Sequence, residues 1–205
     1  LQDLAMRPAF LADVADVLKG LAVDVADGPA LGIGAPMIID GKRYNCYLIL
    51  QNGEIATQVL KHHLPIDDVF DEARIFASGD VSGPYRIGPL RIGSPICEDA
   101  WFDDVTETHA ESGAEILFVP NGSPYMRAKQ DHRIALMVAR VVETGLPLIY
   151  LNLVGGQDDQ VFDGASFALN RGGALAAQMK TLDEDICHLD LELGDEGWTI
   201  KQGPL

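Results

Sequence analysis

The chain has 205 residues, 47% hydrophobic and 22% charged, a mix that suits one α/β domain, or at most two small ones, with a real core. Its 15 basic against 31 acidic side chains give a net charge of −16, which disfavours a nucleic-acid or anionic-membrane partner because phosphates would be repelled. The cysteines Cys46, Cys97 and Cys187 are widely spaced without a CxxC pair, which argues against a disulfide framework or zinc site and for a reducing cytoplasm. No apolar run reaches the ~18 residues of a membrane span, and no signal peptide is visible.

In chain order, Leu11, Val14, Leu18, Leu21 and Val25 recur at helical spacing between Pro8 and Gly28-Pro29, which predicts an amphipathic helix. "ALGIGAPMII" (30–39), "YNCYLIL" (44–50) and "IATQVLK" (55–61) predict three strands, joined by turns at Asp40-Gly41 and Asn52-Gly53. From Lys61 to about Gly88 the pattern is irregular and polar, and loops of that length are usually functional. "LRIGSPIC" (90–97) predicts a strand, 103–113 a helix, "EILFVPN" (115–121) a strand and Lys129 to Thr144 a helix closed by Gly145. "PLIYLNLVG" (147–155), "ASFALN" (165–170), "ALAAQMK" (174–180) and "ICHLDLE" (186–192) predict strands, and the tail "WTIKQGPL" is polar. Alternation in the middle with hairpins at both ends predicts an α/β sandwich rather than a doubly wound sheet.

Several residues carry possible chemistry. Cys97, in "SPICEDAW", stands where a strand gives way to a helix. Such a turn exposes a thiol and aims backbone N–H groups at a developing oxyanion, but free cysteine is also among the most buried residue types. Both readings of Cys97 stay open on placement. Lys61 enters the long loop and is either a surface lysine or a pocket cation that stabilises a tetrahedral intermediate or gives a proton to a leaving amine. His62 and His63 lack an obvious orienting partner, and neighbours on an extended segment face opposite ways, so at most one is expected to face Cys97. "PNGSPY" (120–125) is a strand-end loop, as an ordinary turn or a ligand loop would be. "GGQDDQVFDGAS" (155–166) is too acidic for a phosphate cradle and lacks calcium-loop spacing for Asp158, Asp159 and Asp163, so a solvated turn is expected.

Taken together, "LKHHLP", "VFDEARIF", "PICEDAW", "PNGSPY", "ETGLPLIYLN" and "GGQDDQVFDGASFALN" resemble, in order and over nearly the whole chain, the amidase domain of bacterial glutamine-dependent NAD synthetases, in the nitrilase superfamily. The resemblance implies one α/β domain over residues 1–205, a nitrilase-like αββα sandwich that assembles as a homo-oligomer. It implies hydrolysis of the glutamine side-chain amide, with ammonia passing to a synthetase domain of the same full-length chain. Cys97 matches the nucleophile and Lys61 the lysine of a Glu–Lys–Cys triad. Phe70, Glu98, Ser123 and Lys129 match positions that hold the substrate. No cofactor or metal is implied for the amidase domain; ATP and Mg²⁺ belong to the synthetase domain.

The chain departs from that pattern in three ways. It opens on "LQDLAMRPAF", which resembles the segment just after the family's "PEL"-like strand end, so by this resemblance the 205 residues lack roughly the first forty of the domain, with its first strand, a helix and the triad glutamate. General-base assistance contributes about 10²–10⁴-fold, so a weak glutaminase or none is expected of these residues alone. Ile66-Asp67 stands where the family commonly has Asn-Tyr, and "KQGPL" resembles the join to a synthetase domain. A stand-alone amidase for another small amide and a catalytically silent oligomerisation scaffold are the competing readings.

Overall fold

The computed structural model describes residues 2–66 and 71–205. They fall into two compact units, Leu1–Ser82 and Gly83–Leu205. Among the described residues no helix is long and apolar enough to cross a membrane.

The first unit opens with a short 3-10 turn (Gln2–Met6) and helix α1 (Pro8–Asp24). Proline at the helix start loses no hydrogen bond, since that N–H has no intrahelical partner. Leu11, Leu18 and Ala22 form the buried stripe. Strands β1 (Leu31–Ile39), β2 (Lys42–Gln51) and β3 (Glu54–Leu60) form an antiparallel meander in that order. Both connecting turns put two successive residues at positive φ, Asp40 and Gly41, then Asn52 and Gly53. That geometry matches the twist of paired strands and suits Asx-Gly pairs, which is why the two hairpins were legible. Ala35, Cys46, Leu48 and Leu50 pack with Leu18 and Ala22 into one apolar cluster. A one-turn helix α2 (Glu72–Ile75) lies within the stretch expected to be irregular.

In the second unit, strands β4 (Tyr85–Ile87), β5 (Leu90–Gly93), β6 (Ile116–Asn121), β7 (Leu148–Asn152), β10 (Phe167–Leu169) and β11 (Leu175–Gln178) form a six-stranded sheet, ordered β11-β10-β7-β6-β5-β4. β5, β6 and β7 are parallel, joined through α3 (Asp103–Glu111) and α4 (Lys129–Thr144); the outer pairings are antiparallel. α4 keeps its predicted limits because Gly145 takes the left-handed cap at φ 66°. Leu117, Val119, Met137, Val141, Leu148, Tyr150 and Phe167 form the core between α4 and the sheet.

Five sequence expectations need correction. β5 stops at Gly93 instead of running to Cys97, because Cys97 itself is left-handed at φ 52° and starts a 3-10 helix, Cys97–Trp101. The run 147–155 is broken at Leu153 into β7 and β8 (Val154–Gln157). β8 pairs with β9 (Gln160–Asp163), so 155–166 is a hairpin rather than a solvated turn. The strand expected over 186–192 is reduced to β12 (Leu191–Gly194), which pairs with β13 (Gly197–Ile200) in the polar tail. β4 went unseen because three residues carry too little periodicity.

Candidate functional site

In a sheet with parallel strands, ligands meet the loops at the strands' C-terminal ends. Here those ends deliver two of the candidate residues, Cys97 and Ser123, and a third, Asn152, that the motifs did not single out. Cys97 follows β5, Ser123 follows β6, and Asn152 closes β7.

Cys97 is half-buried in the left-handed region, a conformation that disfavours a side chain and is held by its surroundings. On one side Asp99, 1% exposed, accepts the Ile96 N–H at 3.0 Å, and the Asp99 N–H donates to the Ile96 carbonyl at 3.0 Å. On the other, Ser94 is fully buried and its hydroxyl meets that of Tyr85 at 2.9 Å. The chain therefore turns sharply between two fixed points, with the thiol at the apex. Cys46 contrasts with it: burial in the first unit's core pushes that thiol up to about 12, so it stays protonated and inert. Glu98 follows Cys97 in the same 3-10 turn and is half-buried.

The "PNGSPY" loop is built from three distant motifs. The Ser123 N–H donates to Asn152 Oδ1 at 2.9 Å, and Asn152 Nδ2 donates to the carbonyls of Ser123 and Gly164 at 3.1 Å each. Arg133, from the second turn of α4, donates Nε to the Ser123 hydroxyl at 3.2 Å and Nη2 to the Ser123 and Pro124 carbonyls at 2.9 Å each. Asp163 closes the cluster by accepting from Arg133 Nη1 with both oxygens, at 2.9 and 3.0 Å. Both charges of that pair are almost wholly buried, at 0% and 4% exposure. Asp163 is thus spent on a structural ion pair, which ends its candidacy as a solvated acid. The Tyr150 hydroxyl is buried in the same region without a partner at bonding distance among the described residues. Burial raises its phenol above the usual range, with Cys97 and Asp163 adding to that, while Arg133 and a long hydrogen-bonding approach of the Ser123 hydroxyl oppose it.

Lys129 is half-buried at the start of α4, its ammonium 6.0 Å from the ring centre of Trp101, which ends the Cys97 turn. The cation therefore sits beside the thiol's own 3-10 segment.

In the first unit Lys61 is 2% exposed. Its ammonium donates to Glu72 Oε2 at 2.8 Å, and Asn45 Nδ2 donates to Glu72 Oε1 at 3.4 Å. The backbone is fixed on both sides: the Lys61 N–H donates to the Asn45 carbonyl and its own carbonyl accepts from Gly79, each at 2.9 Å. A buried ammonium needs such a partner. Sequence reasoning did not single out Glu72, although a lysine read as functional called for a carboxylate; four acids lie within 67–72, and only the turn into α2 selects one. His62 and His63 do not face opposite ways as expected. Their rings meet edge to face at 4.8 Å, and His62 Nδ1 bonds the Gly79 carbonyl at 2.7 Å. The segment carries no strand pairing that would impose alternation. Phe70 lies outside the described residues.

The chain matches the carbon-nitrogen hydrolase family over residues 23–200. It is 54% identical over 197 residues to the glutamine-dependent NAD(+) synthetase of Rhodobacter capsulatus, covering 96% of this chain and 36% of that protein. Among solved structures, the glutamine-dependent NAD+ synthetase of Acinetobacter baumannii in complex with adenosine diphosphate superposes with a TM-score of 0.90 at 29% identity, covering 97% of this chain and 38% of that one. A carbon-nitrogen hydrolase from Helicobacter pylori superposes at 0.77 and 24% identity over 87% and 69% of the two chains, a likeness of fold. The chain thus spans little more than a third of the curated relatives it matches.

Proposed function

The chain belongs to the carbon-nitrogen hydrolase family and has its nitrilase-like α/β fold, and from that premise we propose that it hydrolyses the side-chain amide of glutamine through a thioester on Cys97. In this reading the ammonia feeds NAD synthesis by a synthetase domain of the same full-length protein, and the protein works as a homo-oligomer. The hydrolysis itself requires no cofactor, since sulfur carries the acyl group; ATP and Mg²⁺ belong to the synthetase reaction.

The observation that carries the proposal is the setting of Cys97: a half-buried thiol in a left-handed turn just past strand β5, at the same sheet end as the Ser123 loop that follows its parallel neighbour β6. The thiolate attacks the amide carbon and forms a tetrahedral oxyanion. Collapse breaks the C–N bond, the nitrogen leaves as ammonia after taking a proton, and the γ-glutamyl thioester remains. Water then attacks the thioester, releasing glutamate and restoring the thiol. Lys61 is the cation assigned to the oxyanion and the leaving amine, on its motif and on its burial against Glu72. One oxyanion donor is worth about 3 kcal/mol. Glu98 and Lys129 are assigned to the substrate's ammonium and carboxylate, opposite charges that a free amino acid requires; Ser123 and Phe70 complete the proposed binding set.

The test is turnover by the full-length protein of glutamine against other small ω-amides, with mass analysis after treatment with an electrophilic diazo-ketone analogue of glutamine. Glutamine preference and one adduct on Cys97, absent in Cys97→Ala, are expected. Preference for another amide would leave a hydrolase but remove glutamine from the proposal. An unlabelled Cys97 with no turnover of any amide would overturn it in favour of a silent scaffold.

A further inference from the structure

The guanidinium of Arg133 is fully committed inside the protein. It has about five N–H donors. Nε donates to the Ser123 hydroxyl, Nη1 to Asp163 and to Gln130 Oε1 at 3.3 Å, and Nη2 to the carbonyls of Ser123 and Pro124. No donor is left over for a substrate, and the side chain is 0% exposed. Any influence of Arg133 on chemistry therefore passes through the loop it holds.

Ser123 feels that influence in a definite sense. A hydroxyl has one proton and two lone pairs. One lone pair accepts from Arg133 Nε, and a guanidinium has nothing with which to accept in return. The Ser123 proton must point away from Arg133, to the side where the Tyr150 hydroxyl competes with a substrate for it, and the backbone cannot swing to change this. Asn152 clamps its N–H and carbonyl, and Arg133 holds that carbonyl a second time. The clamp works at the C-terminal end of β6, next to the end of its parallel neighbour β5, after which Cys97 follows.

We propose that Arg133 is a positioning residue that makes the Ser123 hydroxyl a fixed hydrogen-bond donor, so that the site selects a substrate presenting an acceptor oxygen, carbonyl or carboxylate, at that point. The inference rests on the reading of Ser123 as a substrate-binding residue. Arginine is required because its planar fork reaches the loop and Asp163 together. A lysine offers only about three donors from one nitrogen. Arg133→Lys therefore keeps the charge against Asp163 while giving up the fork that holds Ser123.

The experiment measures kcat and KM of the full-length protein for glutamine in wild type, Arg133→Lys, Ser123→Ala and the double variant, with the rate of Cys97 alkylation by iodoacetamide as a measure of an intact site. Each of the first two changes is expected to raise KM about tenfold, the usual effect of losing one good hydrogen bond to substrate. The double variant should be no worse than Ser123→Ala, since both act through one hydroxyl. Alkylation should be unchanged throughout. Effects that multiply in the double variant, or Cys97 alkylation that falls with Arg133→Lys, would overturn the inference. Should Arg133→Lys fail to fold, Asp163→Asn loosens the same guanidinium and takes its place in the cycle. Should wild type hydrolyse a different amide and not glutamine, the substrate reading alone fails; the same cycle on that amide then decides, with multiplying effects again overturning the role of Arg133.

Discussion

His109 ties the stability of the second unit to pH in a way that can be worked out in advance. The residue lies on α3, is 1% exposed, and its Nδ1 has no hydrogen-bond partner among the described residues. It packs against β5 at a point where only a glycine fits, since a Cβ on Gly93 would lie 2.8 Å from the His109 Cβ. Burial disfavours the charged imidazole and lowers its pKa from 6.5 to about 4. The unfolded chain then binds a proton at a pH where the native one does not, so stability is complete above the unfolded value and falls as pH drops through the interval. That interval, at ~1.4 kcal/mol for each tenfold, amounts to roughly 3 kcal/mol in full, of which about 2 kcal/mol is lost by pH 5 and only a few tenths by pH 7. Urea unfolding of wild type and His109→Leu at pH 7 and pH 5 isolates the effect, since the many carboxylates titrate alike in both proteins. Wild type should lose about 2 kcal/mol more than the variant on acidification. Parallel losses would refute the reasoning and mean that His109 is solvated or paired in solution.

The site yields three further expected outcomes. Glu72→Gln leaves the Lys61 ammonium buried without its counter-charge; a loss of roughly 2–3 kcal/mol in urea unfolding is expected, together with a fall in amide turnover. Removing half of the buried Arg133–Asp163 pair, as in Asp163→Ala, should destabilise by about 3–5 kcal/mol in urea unfolding, because the guanidinium is left buried without its counter-charge. Cys97→Gly should be more stable than Cys97→Ala by about 1 kcal/mol in thermal unfolding, because only the alanine retains a side chain at φ 52°; the reverse order would mean that the turn is not left-handed in solution.

Much of the frame was readable in advance. The Asp40-Gly41 and Asn52-Gly53 turns named their hairpins, and Gly145 fixed the end of α4. Short elements were not readable. β4 and β13 have three and four residues and are held by partners rather than by their own periodicity. The hairpin β8–β9 looked like a polar turn because its acids are counted as solvated until Arg133, some 30 residues away in sequence, is known to meet Asp163.

The sequence by itself determined where the candidate residues sit along the chain. Cys97, Lys61, Ser123 and Lys129 stand in ordered motifs, and those motifs are local, so they survive without any knowledge of contacts. Tertiary structure decided the partners. Glu72 was one acid among several until α2 turned it onto Lys61, and Arg133 was one helical cation among several until the strand ends brought Ser123, Asn152 and Asp163 around it. The physical reason is common to both cases. A buried charge requires a counter-charge within bonding distance, and which residue supplies it depends on where the folded backbone returns, a matter of distance in space that spacing along the chain does not encode.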